Sequence, residues 1–392
     1  MTTIPQYEAD IYSDEAILDP YPHYAAMRNL GALLYLPAHD IYAIPRYAEV
    51  KAALLDHRHF LSGKGVAGFE WPEVFRVANT LAADEPVHSR FRSIIGAPLA
   101  PPSLERLSAD IELAADDLIA RLIERGSFDG MTDLAQFIPL SIVSSLVGLP
   151  EHGRQRMLEW AAASFDLLGV GNKRAAGAAQ IIGEMIAYVQ NECRPDTVRP
   201  EGWAAQIWQA VEQGKITPAE AGTLHIDIVA PALDTTIFAT GHLLYQLASN
   251  PGEWNKLKDD PRLIPAAIDE AVRLDSPIRA FGRVVEGDQT IDGAAIPSGS
   301  RVLMMYASAN RDERRWEDPE RYWIERPGLS GHLGFGQGRH TCAGMHLAKL
   351  EMRSLLKSLL KRARHIEVGT PNFQMNNVLR GFASLPTRLI PA

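Results

Sequence analysis

FGQGRHTCAG, at residues 335–344, comes directly before a long amphipathic segment and contains Cys342, one of two cysteines among the 392 residues. A structural zinc site needs about four ligands, so one isolated cysteine does not indicate one. The other cysteine, Cys193, is distant in sequence, and no disulfide framework is implied. The glycines allow the backbone to turn tightly and to approach a flat, bulky group. The start of the following helix directs free N–H groups toward Cys342, which favours a thiolate.

A thiolate on a glycine-rich loop, with cationic side chains nearby, is suited to binding haem iron. A dinucleotide-binding loop needs a third glycine three residues after the second, but after Gly336 that position is Arg339. A buried cysteine in an ordinary glycine turn stays open from these residues alone. The complete pattern resembles the haem-binding signature of the cytochrome P-450 superfamily, Phe-Gly-x-Gly-x-His/Arg-x-Cys-x-Gly, at every defined position.

This resemblance implies a fold that is mainly α with small β-sheets, and residues 1–392 are expected to form a single haem-thiolate monooxygenase domain. Haem b would lie between a long central helix and the helix after the cysteine loop, with Cys342 as its axial thiolate. Phe335 and Gly344 of the loop are expected to contact the haem.

The composition is that of an ordinary globular protein, with 39 basic and 48 acidic residues, a net charge of −9, 46% hydrophobic residues and 22% charged residues. The acidic balance argues against nucleic acid as a partner. Residues 1–22 carry charges and no apolar run, so neither a signal peptide nor an anchor is expected there. No membrane association and a cytoplasmic location are therefore predicted, in agreement with the two cysteines.

The central helix is predicted from the capping box at Thr217–Glu220 to Ser249, about 32 residues or roughly 48 Å at 1.5 Å per residue. Pro231 interrupts it and removes the hydrogen bond to the Asp227 carbonyl. Asp234 and two threonines follow in an otherwise apolar stretch, and a kinked core helix would explain them equally well.

Residues 231–236, PALDTT, resemble the oxygen-groove motif of the superfamily, Ala-Gly-x-Asp-Thr-Thr. Pro231 replaces the usual small residue and Ala232, expected to lie against the haem, replaces glycine. We expect the proline to supply the distortion that glycine usually permits. By the resemblance, Thr235 would hydrogen-bond at the dioxygen site, and Asp234 would relay protons from solvent.

Haem propionates need cationic partners when they are buried. His88 and Arg92 lie four residues apart, on one face if helical. Their segment resembles the family's Asp-Pro-Pro-x-His-x-x-x-Arg helix, which binds propionates, although a solvated helix face is the alternative without that resemblance. Arg283 and His340 are assigned the same role by analogy. Glu270 and Arg273 match the structural Glu-x-x-Arg pair of the superfamily, expected to anchor the cysteine segment.

Nothing in the chain resembles a flavin or iron–sulfur module, so electrons are expected from other proteins. The resemblance implies a ferredoxin and a flavin-dependent ferredoxin reductase. Basic residues of the proximal surface could steer an acidic partner: Arg90, Arg339, Lys349 and Arg353.

The resemblance is closest to bacterial members that oxidise small para-substituted aromatics such as methoxybenzoates, which implies hydroxylation or oxidative O-demethylation of a small aromatic substrate. In those members a basic loop residue and an Arg-Ser pair hold the carboxylate. Here Lys64 is the candidate at the loop position, and the pair is Ile226-Asp227. Asp227 would repel a carboxylate, so a neutral phenol or methoxy ring bonded to Asp227 or His225 is expected instead. The pocket walls are expected to include Val66, Phe165, Leu168, Ala230, Ile278 and Phe281.

Two other functions would also use a haem-binding cysteine loop. A peroxide-using haem-thiolate hydroxylase usually lacks the acid–alcohol pair that Asp234 and Thr235 form. A haem-binding sensor would need the cysteine loop but no proton relay, so the same pair disfavours it.

Overall fold

The computed structural model describes residues 3–71 and 79–392, and helices make up most of it. Several begin with proline in the first turn, where the missing N–H costs nothing. The α-helices of the described ranges are α1 Asp14–Leu18, α2 Tyr21–Leu30, α3 Tyr47–Leu55, α4 Val87–Ile95, α5 Pro101–Arg125, α6 Ser144–Val147, α7 Glu151–Leu167, α8 Lys173–Asn191, α9 Trp203–Glu212, α10 Pro218–Leu224, α11 Ile226–Val229, α12 Asp234–Ser249, α13 Pro251–Asp259, α14 Ile264–Leu274, α15 Tyr306–Ala309 and α16 Met345–Arg362.

The strands are short and form small sheets. They are β1 Leu34–Leu36, β2 Ile41–Ile44, β3 Phe60–Leu61, β4 Ser127–Asp129, β5 Phe281–Val285, β6 Gln289–Ile291, β7 Ala294–Ile296, β8 Arg301–Met304, β9 Ala363–Val368, β10 Asn372–Phe373, β11 Phe382–Ser384 and β12 Pro386–Pro391. One sheet has the order β1-β2-β8-β5-β3 and another β4-β12-β9, while β6-β7 and β10-β11 are two-stranded. The β2–β8 pair is parallel and the other pairs are antiparallel. The prediction of a mainly α fold with small sheets is confirmed.

The cysteine loop is held by its own backbone and by α3. The Cys342 N–H donates to the Phe335 carbonyl at 2.8 Å. Gly338 has φ of 73°, and a Cβ there would lie 2.7 Å from the Leu54 carbonyl oxygen. Only glycine fits that close approach without strain. The loop then enters α16, whose apolar side packs against α5 and α14 in the core, so the cysteine has a fixed place.

The central helix is not continuous, which corrects the predicted span from Thr217 to Ser249. The capping box is present, but the chain forms α10, α11 and α12 with a bend at His225 and a break over residues 230–233. Pro231 lies inside this break and cannot donate to the Asp227 carbonyl. After the break α12 is buried around most of its circumference and packs against α7, α14 and α16.

One segment differs from the expectation that no stretch could cross a membrane. Residues 130–147 are long and apolar enough by composition, with a mean hydropathy of 1.3, and half of them are buried inside the protein. A core helix meets the same criterion. The segment is assembled from the π-helical turns Gly130–Ala135 and Pro139–Val143 together with α6, and the first of these packs against α12. That packing is typical of a core segment.

The proline-rich stretches at residues 97–102 and 194–202 connect helices, as predicted. The last two residues of the first stretch already belong to α5, which begins at Pro101. Among the described residues, buried apolar side chains form three clusters, the largest of which surrounds α12. That residues 1–392 form a single domain stays a prediction.

Candidate active site

A cavity of about 310 Å³ lies between the break before α12 and the cysteine loop. Ligand pockets have volumes of this order and mostly apolar walls. All predicted site residues except His88 and Asp234 line it, namely Val66, Arg92, Phe165, Leu168, Asp227, Ala230, Ala232, Thr235, Ile278, Phe281, Arg283, Phe335, His340, Cys342 and Gly344. The fold therefore brings together residues that are almost 280 positions apart in the chain.

Cys342 forms one wall of the cavity. The Cys342 side chain is exposed to the cavity. The surrounding protein shields it from bulk solvent. Burial raises the pKa of the Cys342 thiol, while the backbone N–H groups of Gly344 and Met345 and the charge of Arg92 act in the opposite direction. The helix start that we expected to favour thiolate is therefore outweighed by desolvation. The thiolate form of Cys342 therefore needs a positive charge next to the sulfur to stabilise it, and coordination to a metal ion provides that charge.

The opposite wall contains the break before α12. The Thr235 side chain lines the cavity, and its hydroxyl donates to the Pro231 carbonyl at 3.4 Å. This bond is long, so the hydroxyl is weakly held. Asp234 is buried beside the cavity, not in its wall, and burial raises its pKa to about 7. A carboxyl group with that pKa can take up and release protons at neutral pH.

Basic side chains gather at one end of the cavity. Arg92 donates to the Thr341 carbonyl at 2.6 Å, and Arg283 donates to the Gly282 carbonyl at 2.7 Å. Within the described ranges neither forms an ion pair with a carboxylate. The rings of His88 and His340 are in contact, with centroids 4.3 Å apart and their planes tilted by 52°, and His88 Nε2 has no hydrogen-bond partner among the described residues. Burial, with the charge of Arg283, lowers the pKa of His340 to about 3.

This cluster fits the propionates of a haem. Among the described residues, the buried Arg283 and the half-buried Arg92 have no carboxylate partner, and a nitrogen of His88 has no hydrogen-bond partner. A bound anion would satisfy these groups. Cys342 stands in the same cavity. Among the described residues no group of three or more His, Cys, Asp or Glu side chains could hold a metal ion alone. The residues present therefore fit a macrocycle that brings its own iron and carries two carboxylates.

The remaining walls are apolar. Phe165 and Leu168 come from the end of α7 and its following turn, and Val66 from the segment before α4. Phe281 and Arg283 alternate along β5, so both face the cavity from the same side of the strand. Ile278 also lines it and bridges to Leu379. The walls away from the basic end suit an apolar ligand.

Asp227 is the acidic side chain that lines the cavity in the described ranges. Its carboxylate accepts a hydrogen bond from the Thr80 N–H at 2.8 Å. Burial raises the pKa of Asp227 to about 7, although Thr80 and the charge of Arg92 act in the opposite direction.

Two further suggestions from the sequence are not supported. Lys64 forms an exposed ion pair with Glu286, with a Nζ–Oε2 distance of 2.8 Å, and does not line the cavity. His225 bonds the Ala221 carbonyl through Nδ1 at 2.6 Å and packs near Trp208, away from the cavity wall. Local contacts that a sequence does not reveal hold both side chains elsewhere.

Sequence reasoning missed Thr80 and Tyr306, which both line the cavity. Burial raises the pKa of Tyr306, while the charge of Arg283, a member of the basic cluster, acts in the opposite direction. Thr80 acts on Asp227 through its backbone N–H. No sequence signal could have indicated Thr80, because every residue except proline carries that donor.

The predicted partner surface is partly neutralised. Arg90 pairs with Glu220 at 2.6 Å, Arg339 with Glu85 at 2.6 Å and Lys349 with Asp269 at 2.7 Å. Arg353 is exposed on α16. Intramolecular pairing lowers the net positive potential that these residues offer a partner.

Comparison with known proteins agrees with this site. The family model named cytochrome P450 matches residues 172–389. Cytochrome P450 CYP199A2 of Rhodopseudomonas palustris is 38% identical over 99% of this chain and 95% of its own length. Cytochrome P450 144 of Mycobacterium tuberculosis is 28% identical over 94% of this chain and 88% of its own length. The crystal structure of myxobacterial cytochrome P450 CYP267B1 with myristic acid covers 97% of this chain and 98% of its own, with a TM-score of 0.83 and 27% identity.

The family match, the full-length relatives and the fold agree with the cysteine loop and with the broken central helix above it. Members of this family bind haem through a cysteine thiolate, and they take electrons from a donor and use dioxygen to oxidise a small substrate. This chain belongs to the cytochrome P450 family of haem-thiolate monooxygenases.

Proposed function

We propose that this monooxygenase hydroxylates or oxidatively O-demethylates a small aromatic substrate. The observation that carries the proposal is one cavity with Cys342 in one wall, Thr235 at a helix break in the other, and apolar side chains beyond. Such a space suits a flat ring of few polar groups. Members of the family that act on para-substituted aromatics resemble this chain over nearly its whole length.

The proposed roles follow from the surroundings of each residue. Cys342 is the thiolate ligand, and Arg92, Arg283, His88 and His340 hold the propionates. Bound haem supplies the iron at which dioxygen is activated for insertion of one oxygen atom into a substrate C–H bond.

Proton supply is assigned to Thr235 and Asp234. The Thr235 hydroxyl is weakly held by the Pro231 carbonyl, so it can turn to donate a hydrogen bond into the cavity. Asp234 binds and releases protons near neutral pH because burial raises its pKa to about 7. A peroxide-using hydroxylase would not need this pair, which makes it the less favoured alternative, and a haem sensor is disfavoured on the same ground.

Electrons are proposed to come from a ferredoxin that a flavin-dependent reductase reduces, with the protein working in the cytoplasm. The chain carries no motif that resembles a flavin or iron–sulfur module. Among the basic candidates, Arg353 has no ion-pair partner within the described ranges, so it is best placed to meet an acidic partner.

Two measurements test the proposal. The carbon monoxide complex of the reduced protein should show the red-shifted Soret band of thiolate ligation, and Cys342→Ala should abolish it. Small methoxyarenes should convert the haem from low to high spin and, with ferredoxin, reductase and NADH, release formaldehyde in proportion to the phenol formed. A thiolate spectrum without oxidation of any aromatic in such a panel would reject the substrate class and keep the family assignment.

A further inference from the structure

Among the described residues Asp227 is the acidic side chain that lines the cavity, and the charge of Arg92 acts on it. Asp227 lies on α11 and Thr235 lies at the start of α12, on the two sides of the break over residues 230–233, and both line the cavity. The neighbours of Asp227 that also line the cavity are apolar, namely Ile226, Ile228 and Ala230. A ring that reaches from the Thr235 end toward Asp227 would therefore meet a carboxylate at its far end.

Asp227 keeps unused capacity to accept hydrogen bonds. An ionised carboxylate offers about four acceptor sites, and the Thr80 backbone N–H donates to Oδ2 at 2.8 Å. This partner is an uncharged group of the protein. The carboxylate is therefore positioned by Thr80, with acceptor capacity left for a ligand.

The charges around the cavity disfavour an anion at that end. Its basic residues in the described ranges, Arg92, Arg283 and His340, belong to the cluster assigned to the haem propionates. Lys64, the other candidate cation, is held outside by Glu286. A substrate carboxylate would thus face the charge of Asp227 and would have to compete with the propionates for these basic side chains.

We propose that Asp227 is a specificity residue that selects aromatic substrates whose polar end donates a hydrogen bond, as a phenol does, over those that end in a carboxylate. This rests on the proposed function and names the substrate class for the same cavity. Burial raises the pKa of Asp227 to about 7, so the group can gain or lose its proton near neutral pH. A donor from the ligand stabilises the ionised form, as Thr80 and the charge of Arg92 already do.

The test uses the haem-loaded protein and three ligands that share a methoxyphenyl ring. 4-Methoxyphenol carries a donor, 1,4-dimethoxybenzene carries none, and 4-methoxybenzoate carries a negative charge. Dissociation constants come from the low- to high-spin shift. We expect the phenol to bind about tenfold tighter than the dimethoxy compound, as for a hydrogen bond to a charged group, and the benzoate to bind most weakly.

Asp227→Asn removes the negative charge of the side chain but keeps its position, since the amide oxygen can still accept the hydrogen bond from the Thr80 N–H. In this variant the preference for the phenol over the dimethoxy compound should fall to within about threefold, and the benzoate should bind more tightly than in the wild type. Asp227→Ala should lose the same preference. Because the wild-type ligand series needs no variant, the proposal can be judged even if a variant fails to load haem.

The outcomes separate this inference from the proposed function. Tightest binding by the benzoate in the wild type would overturn the role of Asp227 and leave an aromatic monooxygenase in place. If Asp227→Asn lowered the affinity for all three ligands equally, the role of Asp227 in specificity would also be overturned. Such a result would indicate that Asp227 only holds the structure together through its bond to Thr80. If none of the three binds or is oxidised, the aromatic function fails and the inference falls with it.

Discussion

Thr235 and Asp234 are neighbours in sequence with different surroundings, and that difference assigns their roles. The Thr235 hydroxyl lies in the cavity wall, held by a 3.4 Å bond to the Pro231 carbonyl. Asp234 is buried behind it, where burial raises its pKa to about 7. In the proposed function, a hydroxyl that can turn and an acid that titrates near neutrality would act as a proton relay in which neither group must leave its place.

Replacing Thr235 by alanine should uncouple electron consumption from product formation. Without the hydroxyl, proton delivery at the dioxygen site is no longer directed, and product formation should fall by about 10²-fold while NADH is still consumed. The electrons should be recovered as hydrogen peroxide, which a peroxidase assay measures. Thr235→Ser keeps a hydroxyl and should retain most of the coupling. Full coupling in the alanine variant would contradict the role.

Glu351 presents a different problem at the residue scale. It is 1% exposed on α16, and neither carboxylate oxygen has a hydrogen-bond partner among the described residues. Burial raises its pKa well above the ordinary value, so the folded protein holds a proton there that the unfolded chain releases. Stability from this group is complete below the unfolded pKa of about 4.3 and is lost as pH rises toward the folded value.

Glu351→Gln should remove that pH dependence. The amide cannot ionise, so the variant should gain stability relative to the wild type as pH increases from about 4.5 to 8. Urea unfolding of both proteins at several pH values measures the difference. Glu367→Gln, at an exposed glutamate, is the control and should show no such trend. A constant difference across the pH range would rule out a protonated Glu351.

At the scale of elements, the sequence predicts the distortion of the central helix but not its extent. Pro231 has an unambiguous local effect, the loss of one donor and a steric clash, and the break is found around it. The continuous helix predicted before Pro231 is wrong because residues 217–233 are so apolar that helical pattern alone gives no end signal. The bend at His225, whose side chain bonds its own helix, has no such signature.

The turn between α7 and α8 is tied to the C-terminal segment through Asn377. The Asn377 backbone N–H donates to Asp166 Oδ1 at 2.8 Å, and its side-chain amide donates to the Asp166 carbonyl at 2.8 Å and to Asn172 Oδ1 at 2.9 Å. The Gly68 N–H also donates to the Gly169 carbonyl at 2.7 Å. Phe165 and Leu168 beside this turn line the cavity, so the tie holds one wall closed.

Asn377→Ala should loosen that wall. The variant keeps the backbone N–H bond to Asp166 Oδ1 but removes the side-chain bonds to the Asp166 carbonyl and to Asn172, at a cost of about 1–3 kcal/mol for the buried groups. Hydrogen exchange should become faster in residues 166–172, and bound substrate should dissociate faster, because less free energy is needed to open the turn. Asn372→Ala removes an exposed amide that bonds Ser384 and serves as the control. Unchanged exchange in the turn would contradict this role for Asn377.

Across the whole molecule, the sequence predicts the places with chemical signatures and misses those set by packing. The sequence indicates the cysteine loop, the acid–alcohol pair and the basic residues because each motif needs particular side chains at fixed spacing. The fold then places all but two of the named site residues around one cavity. Thr80 contributes a backbone donor, and Lys64 is removed from the cavity by Glu286. Such contacts join residues distant in the chain and leave no local pattern.

The segment before the cysteine loop is attached to α14 by a charged network that is wholly buried. Glu270 and Arg273 are fully buried, and Arg273 Nε lies 2.6 Å from Glu270. Arg326 Nε lies 2.9 Å from the same carboxylate, which also accepts the Trp323 N–H at 3.1 Å. Arg273 donates further to the carbonyls of Asn310, Pro319 and Arg321. One carboxylate therefore balances two guanidinium groups that fix residues 310–326.

Glu270→Gln should destabilise the whole protein and its hold on haem. The amide keeps the size of the side chain but leaves two buried cations without a counter-charge, which costs about 3–5 kcal/mol when a buried pair is broken. Urea unfolding and the fraction of protein that carries haem measure the loss. Asp260→Asn breaks an exposed pair with Arg262 and should cost less than about 1 kcal/mol. If both variants lost equally little, residues 310–326 would not depend on this network, and apolar packing alone would have to hold the cysteine loop in place.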